Sequence, residues 1–579
     1  MKSNRPKLYL NLYWHMHQPD YRDTVSNEYV LPWTYLHAIK DYSDMAYHLE
    51  MNPKARVTFN FVPILLEQLQ DYTAQFKSNS LRDPLLSLLV HENLDKLTQE
   101  ECQLVVESCF KSHHEKMLSP FPHYQRLLSL YEQFEHSACH EQYRYLSGQY
   151  KADLLVWYHL AWCGESLRRN NTAIQALMTK GVLFSLSDRQ QLFSVIAETI
   201  SGLIPRYQAL LERKQIEISS TPYYHPILPL LLDFKTTLDA MPYAPLPKYS
   251  KFAGGQNRAS AHVTAAQAYH TQVFGRAPRG MWPAEGGVSE AGLSLMAEHG
   301  VEWAATGQSV LVNSLLKSHL SVADKNDYLY QPYRVTNGKQ DILCFFRDDN
   351  LSDKIGFEYA KMHTPDAVQD FIASLERIHQ SGSAESGMAK VVSVILDGEN
   401  AWEYYPYNGY YFLSELYAAL AQHPDIEMTT FSDIVDRVQS SSDASAEINV
   451  SALPHVAAGS WVYGTFSTWI GSKDKNLAWD LLCEAKQTYD SVLATNTLTD
   501  KQKQACERQL SVCEGSDWFW WFGDYNSTDS VASFDQLYRR NLMNLYSLLQ
   551  QAIPQVLYTS ISAGGGHADN AGTMRRGQA

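Results

Sequence analysis

Apolar residues in this chain come in short unbroken runs, separated by longer stretches with helical spacing. Leu8–Trp14, Val57–Val62, Ile216–Ser220, Arg279–Trp282, Val301–Ala305, Ile342–Phe346, Val391–Asp397 and Ile426–Thr430 read as strands. The run Val391-Val392-Ser393-Val394-Ile395-Leu396 shows no polar alternation, which fits a strand covered on both faces of a parallel sheet. Helical patterns between most of the runs give a repeated βα order, and that order predicts a parallel barrel or barrel-like sheet. The long interval at about 64–210, between the second and third runs, carries helical patterns such as Leu154-Leu155-Trp157-Tyr158-Leu160-Ala161 and should form a helical insertion. A polar stretch from Gln439 to Glu447 marks a boundary. It divides a first domain over 1–438 from a helical domain over 448–560, where Leu477, Ala478, Leu481, Leu482, Ala485 and Tyr489 share one stripe. The tail over 563–579 has no core pattern and is expected to be disordered.

Carboxylates and aromatics gather where the strands end. Val391–Asp397 runs into Gly398-Glu399-Asn400-Ala401-Trp402; an extended backbone would put Asp397 and Glu399 on one face, where repulsion raises the proton affinity of one of them. A second acid, Glu285, follows Trp282-Pro283-Ala284 and precedes two glycines and a helix capped by Ser289. Two carboxyl groups astride a bond are what glycoside cleavage commonly needs, about 5–5.5 Å apart for a nucleophile and about 6.5–9.5 Å for a base that activates water. Aromatics make up 12% of the chain and many sit beside polar groups, as in Tyr13-Trp14-His15, Tyr223-Tyr224-His225 and Trp518-Phe519-Trp520-Trp521-Phe522. Such rings stack on sugars or fill a core, and for the Trp518–Phe522 cluster core packing is favoured.

Composition narrows the partners. A formal net charge of −15 without a Lys/Arg-rich block argues against nucleic acid and anionic membranes and suits a neutral ligand. No apolar run reaches membrane-spanning length. Leu8–Trp14 is short, is broken by Asn11 and runs into His15 and His17, so it reads as a first strand and not a secretory signal. The eight cysteines include no Cys-x-x-Cys and read as reduced thiols of a cytoplasmic enzyme. His15-x-His17 has the spacing of half a zinc site on a strand, with hydrogen-bonding histidines as the alternative.

The segments His15-Met16-His17-Gln18-Pro19, Gln215 to Tyr223, Trp282-Pro283-Ala284-Glu285 and Leu396-Asp397-Gly398-Glu399-Asn400 resemble, in order, four of the five motifs of glycoside hydrolase family 57. The stretch from Ser460-Trp461 to Trp469-Ile470-Gly471 is similar to the fifth. The resemblance spans about residues 7–550. It implies an α/β fold: a distorted (β/α)7 barrel with its helical insertion, followed by a helical domain, so that one of the eight strand candidates is peripheral. It also implies retaining chemistry on α-glucans with no metal or other cofactor. By the motifs, Glu285 matches the nucleophile and Asp397 the general acid/base, while His15, His17, Glu217, Trp282 and Glu399 match substrate-contacting residues. Arg347, Asp348, Trp402, Trp461 and Trp469 are expected to join them. The motif forms look most like the amylopullulanase and α-amylase-type members. A 4-α-glucanotransferase or branching-type transglycosylase, a zinc-dependent mannosidase or deacetylase, and a catalytically silent carbohydrate-binding protein stay open as alternatives.

Overall fold

The computed structural model describes residues 6–135, 143, 145–381, 387–441 and 447–565. Among them are twelve strands: β1 (Leu8–Met16), β2 (Arg22–Asp23), β3 (Glu28–Tyr29), β4 (Val57–Phe61), β5 (Ile216–Ser219), β6 (Gly280–Met281), β7 (Trp303–Thr306), β8 (Tyr333–Thr336), β9 (Asp341–Phe346), β10 (Val391–Asp397), β11 (Ile426–Thr429) and β12 (Ser451–Ala452). One sheet has the order β10-β1-β4-β5 with β11 also on β1, and a second has the order β12-β8-β9-β7-β6. Single parallel bridges, Ser220 to Met281 and Arg347 to Ser393, link the two sheets. Seven parallel strands therefore follow one another by ladders or bridges, from β1 through β4, β5, β6, β7 and β9 to β10, which pairs with β1 again. The peripheral eighth candidate is β11, which pairs with β1 only at Leu8 to Asn11.

The two-residue period of a strand sorts side chains between two cores. Leu8, Leu10, Leu12, Trp14 and Met16 of β1 and Val392, Val394 and Leu396 of β10 pack into the large core shared with the helices. Tyr9 and Tyr13, Val391 and Ile395, and Leu343 and Phe345 face a smaller inner cluster with Trp282 and Trp303. Phe431, Ile434 and Val435 of helix Phe431–Ser440 enter the same cluster. That helix lies where the strands begin, since its Arg437 donates to Tyr9 Oη and its Asp436 pairs with Arg279 just before β6. The opposite, carboxyl-terminal ends of the strands are left for a site.

Two features depart from the pattern reading. β8 was not anticipated: only two of its four residues are buried, it runs antiparallel to β9, and it turns through Gly338 at φ 83°. The chain also keeps contact with the sheet past Gln439–Glu447, of which residues 442–446 lie outside the described residues. Beyond it, Ala389 N–H donates to Glu447 O, β12 pairs with β8, and Val288 is bridged to Gly459, so the chain stays on the sheet for some twenty residues more. Helices do occupy the long interval between β4 and β5, from Pro63–Ser78 to Leu186–Glu212, with capping boxes at Thr98/Glu101 and Ser185/Asp188. Helices Lys473–Ala494, Asp500–Cys513, Asp517–Trp521 and Thr528–Leu548 follow the sheet. Residues 566–579 of the expected disordered tail lie outside the described residues.

Gly280 is where β6 passes the inner cluster, and a Cβ there would come within 1.8 Å of the Trp303 indole. Gly280→Ala should therefore cost roughly 1–3 kcal/mol through overpacking. Thermal unfolding checks this, an unchanged midpoint counting against the packing described.

Candidate functional site

Asp397 closes β10, and the ladder sets it opposite His15. By strand period both face inward, above Ile395 and Tyr13 respectively. The main chain tightens the junction: Gly398 N–H donates to His15 O at 2.7 Å, and a Cβ at Gly398 would stand 2.2 Å from Met16 Sδ. Asn400 Nδ2 donates to Asp397 Oδ2 at 3.0 Å. Glu399 turns toward the first strand, where its Oε1 accepts from His17 N and Tyr42 Oη, both at 3.1 Å, and from Gln18 Nε2 at 3.3 Å. Its Oε2 is buried without a partner.

Glu285 arrives from the other sheet, in a single helical turn after β6 and Pro283. Its backbone is left-handed, at φ 59° and ψ 25°, which costs a non-glycine residue roughly 1–2 kcal/mol. Trp461 N–H holds the Glu285 carbonyl at 3.2 Å. The side chain accepts from Ser516 Oγ at 2.9 Å, and His225 Nδ1 lies 3.7 Å from the same oxygen. Ser516 and His225 are joined twice, between Oγ and Nδ1 at 2.8 Å and from Ser516 N–H to His225 O at 3.0 Å. The next residue, Asp517, bonds His17 Nε2 at 2.7 Å.

Three carboxyl groups of low exposure, Glu399 fully buried and Glu285 and Asp397 largely so, thus share one region. Burial pushes Asp397 up to about 6, with the Asn400 hydrogen bond and the His17 and Arg347 charges pulling the other way. Burial pushes Glu285 well above the usual glutamate range, reinforced by the charges of Asp517 and Asp397 and opposed by the Ser516 hydrogen bond. Glu399 is raised for the same first reason, with the Asp397 charge next. Burial lowers His15 to about 3 and takes His225 well below its ordinary value, so both are neutral imidazoles at neutral pH.

The other expected site residues divide. Arg347 is buried, donates Nε to Ile395 O at 2.9 Å, pairs with Asp349 and Asp353 at 2.7 Å, and lies 5.8 Å over the Trp461 ring. Its charge lowers the proton affinity of Asp397. Trp282 is fully buried between the inner cluster and the site, 5.8 Å from the His15 ring and 5.1 Å from Trp461. The indole N–H of Trp282 is buried without a partner, while the Trp461 indole acts on Glu285 and, like Ser516, lowers its proton affinity.

Asp348, one residue from Arg347, faces the other way and accepts from Lys325, Tyr330 and Leu351 N–H. Glu217 also departs from expectation: it lies below the His15–Asp397 level and accepts from Trp303 Nε1 at 2.9 Å and Ser432 N–H at 2.9 Å, as well as from the Ser432 hydroxyl. Its charge serves the start of helix Phe431–Ser440. Trp402 packs on Trp14 and donates to Gly398 O at 2.8 Å, supporting the turn after Asp397 from behind. Trp469 is fully buried, 5.7 Å from Trp520. The Trp518–Phe522 cluster packs, with Phe519 stacked on Trp479 at 4.3 Å and Trp521 on Phe534 at 4.5 Å.

His225, Ser516 and Asp517 were missed by the sequence reading, although His225 ends one aromatic-polar cluster and Ser516-Asp517 directly precedes another.

The model of glycosyl hydrolase family 57 matches residues 11–445. The chain belongs to that family. Its fold is similar to that of the family 57 branching enzyme of Pyrococcus horikoshii (15% identity, TM-score 0.56, 93% of this chain and 89% of that one). It is equally similar to a family 57 branching enzyme of Thermococcus kodakaraensis (14%, 0.56, 93% and 90%) and to an α-amylase of Thermotoga maritima (13%, 0.56, 94% and 93%). No curated protein is similar enough in sequence to match it.

In this family 57 chain one cluster invites a metal: ring nitrogens of His15, His17 and His225 all lie within 4.8 Å of one another. Their planes, however, are within 24° of parallel, and His17 and His225 stack face to face at 3.9 Å. Their in-plane lone pairs run alongside each other, whereas ligation needs them to converge on one point at about 2.0–2.1 Å, so a ring would have to turn. Each ring instead has a protein partner on one nitrogen, Asn60, Asp517 or Ser516. The free His17 Nδ1 and His225 Nε2 are buried polar atoms that a hydroxylated ligand would satisfy.

Asp517 exerts the largest charge effect on Glu285. Asp517→Asn should therefore let Glu285 ionise at lower pH and move the acid limb of the kcat/KM profile downward. A limb that stays put or moves upward would contradict the electrostatics described.

Proposed function

We propose that this chain is a retaining glycoside hydrolase of α-glucans, with Glu285 as nucleophile and Asp397 as general acid/base. The observation that carries the reading is the coupling of two largely buried carboxyl groups, one from each sheet, in a family 57 chain: the Asp397 charge raises the proton affinity of Glu285. The ring of seven parallel pairings supports a distorted (β/α)7 barrel, with both acids beyond the carboxyl ends of its strands. The helical part beyond the sheet forms, on this reading, a second domain that supplies Ser516 and Asp517.

In the first step a Glu285 oxygen bonds to the anomeric carbon as the glycosidic bond breaks, and the leaving oxygen takes the proton of Asp397. The productive form is the singly protonated pair with the proton on Asp397; in the unliganded site burial and the neighbouring carboxylates favour the proton on Glu285 instead, and Ser516 works against that by donating to Glu285. Ester formation removes the Glu285 charge, so repulsion no longer raises Asp397. Asp397 can then accept a proton from water, whose oxygen attacks the anomeric carbon and restores its configuration as the ester bond breaks and Glu285 leaves as a carboxylate. If a sugar hydroxyl arrives in place of water, the same steps give transfer. The equal fold likeness to branching enzymes and an α-amylase keeps that outcome in view.

Product lengths from amylose, pullulan and maltooligosaccharides, followed over time, test the reaction: only shorter products mean hydrolysis, and simultaneous longer products mean transfer. Glu285→Ala should lose at least about a thousandfold in kcat and yield a β-glycosyl azide with added azide. Asp397→Ala should keep partial activity on substrates with acidic leaving groups, which need no protonation. A β-azide from the Asp397 variant would reverse the two roles.

A further inference from the structure

A buried ion cluster outside the site holds both sides of the contact that reaches Glu285. Helix Gly255–Phe274 carries Arg258 and His262. Arg258 grips Glu514 in a fork, Nε to Oε1 at 2.7 Å and Nη2 to Oε2 at 2.8 Å, and also donates to Ser511 Oγ at 2.7 Å and to Glu507. His262 Nε2 meets Glu514 Oε2 at 2.7 Å. Glu514 is 1% exposed, yet these partners outweigh its burial and lower it to about 2. It caps helix Asp500–Cys513 two residues before Ser516. The His262 carbonyl meanwhile accepts from Tyr223 N–H at 3.2 Å, two residues before His225. Between the two sides, a Cβ at Gly515 would come within 2.9 Å of Tyr224 O. One helix therefore fixes the Ser516 segment through a side chain and the His225 turn through its backbone.

We infer that Arg258, His262 and Glu514 act as positioning residues, a clamp that sets the Ser516–Glu285 and Ser516–His225 contacts and through them the reactivity of Glu285. This rests on the role proposed for Glu285. A hydroxyl donor that drifts by a fraction of an ångström loses much of its hydrogen bond, and of the two side-chain donors that lower Glu285, Ser516 and Trp461, Ser516 has the larger effect. A charge-assisted fork held in a dry place is well suited to fix such a donor.

Full-length Glu514→Gln and Arg258→Lys proteins test this beside Ser516→Ala. Glutamine keeps the glutamate shape without its charge, and lysine keeps the charge without the fork. The first readout needs no substrate: carbon-13 NMR titration of labelled glutamate carboxyls, with the Glu285 signal identified by Glu285→Gln. The second is kcat and KM on the best maltooligosaccharide. Each clamp variant should move Glu285 titration upward in pH, toward that of Ser516→Ala, and lower kcat by about tenfold with a smaller change in KM. Glu514→Gln added to Ser516→Ala should change Glu285 little further, because the two act through one contact. A cooperatively melting clamp variant with wild-type Glu285 titration would overturn the inference, as would effects that simply add. Should both stronger variants fail to fold, Ser511→Ala, which removes one Arg258 hydrogen bond, carries the same comparison. Absence of cleavage of every α-glucan would sink the substrate reading, and the titration would still decide on the clamp.

Discussion

The low exposure of Glu285, 12% at its side chain, makes a negative charge there costly, and the contacts of this site bear on that cost. A buried carboxylate takes up a proton unless donors compensate its lost hydration. Here Asp397 and Asp517 add repulsion. The offset comes from Ser516 and the Trp461 indole, while His15 and His225 stay neutral and so cannot substitute a full charge for them. Asp397 lives under different terms, with Arg347 and His17 moderating the effect of burial. Two neighbouring acids are thus given different surroundings, and in the unliganded site these leave Glu285 the more easily protonated of the two.

The fold delivers these differences by simple means. Strand period turns Asp397 and His15 inward and Trp14 and Leu396 outward. Glu285 cannot be reached by period at all, since β6 is two residues long and the acid sits on a strained turn beyond it. That turn is held by the chain around Trp461, and the side chain is held by Ser516, so the nucleophile candidate depends on segments far along the chain. Strain of this sort at a functional group persists because surrounding contacts over-determine it.

Much of the scaffold was legible in the sequence because unbroken apolar runs leave little choice of conformation. All eight runs became strands, and Asp397, Glu399, His15 and Glu285 were found at their ends. What stayed hidden was lateral. Glu217 looked like a ligand by its motif position, but one level along a strand decides whether a side chain meets the cleft or the start of a helix. Arg347 and Asp348 are neighbours in sequence, and the strand end sends them to opposite sides. β8 escaped notice because half of it is solvated and its four residues carry no long pattern. Ser516 and Asp517 were invisible as partners because no periodicity reports which distant helix end will abut which loop.

The His17–Asp517 contact joins residues 500 positions apart, and Ser516 meets Glu285 across 231. A ribosome adding about 5–20 residues per second exposes His17 roughly 25–100 s before Asp517 exists. The sheet can collapse in that interval, yet its cleft has no Ser516 donor and no Asp517 partner until the last helices dock. The contacts of this pair of acids are therefore completed only in the finished chain, since the late helices supply them and also share the large core with the strands.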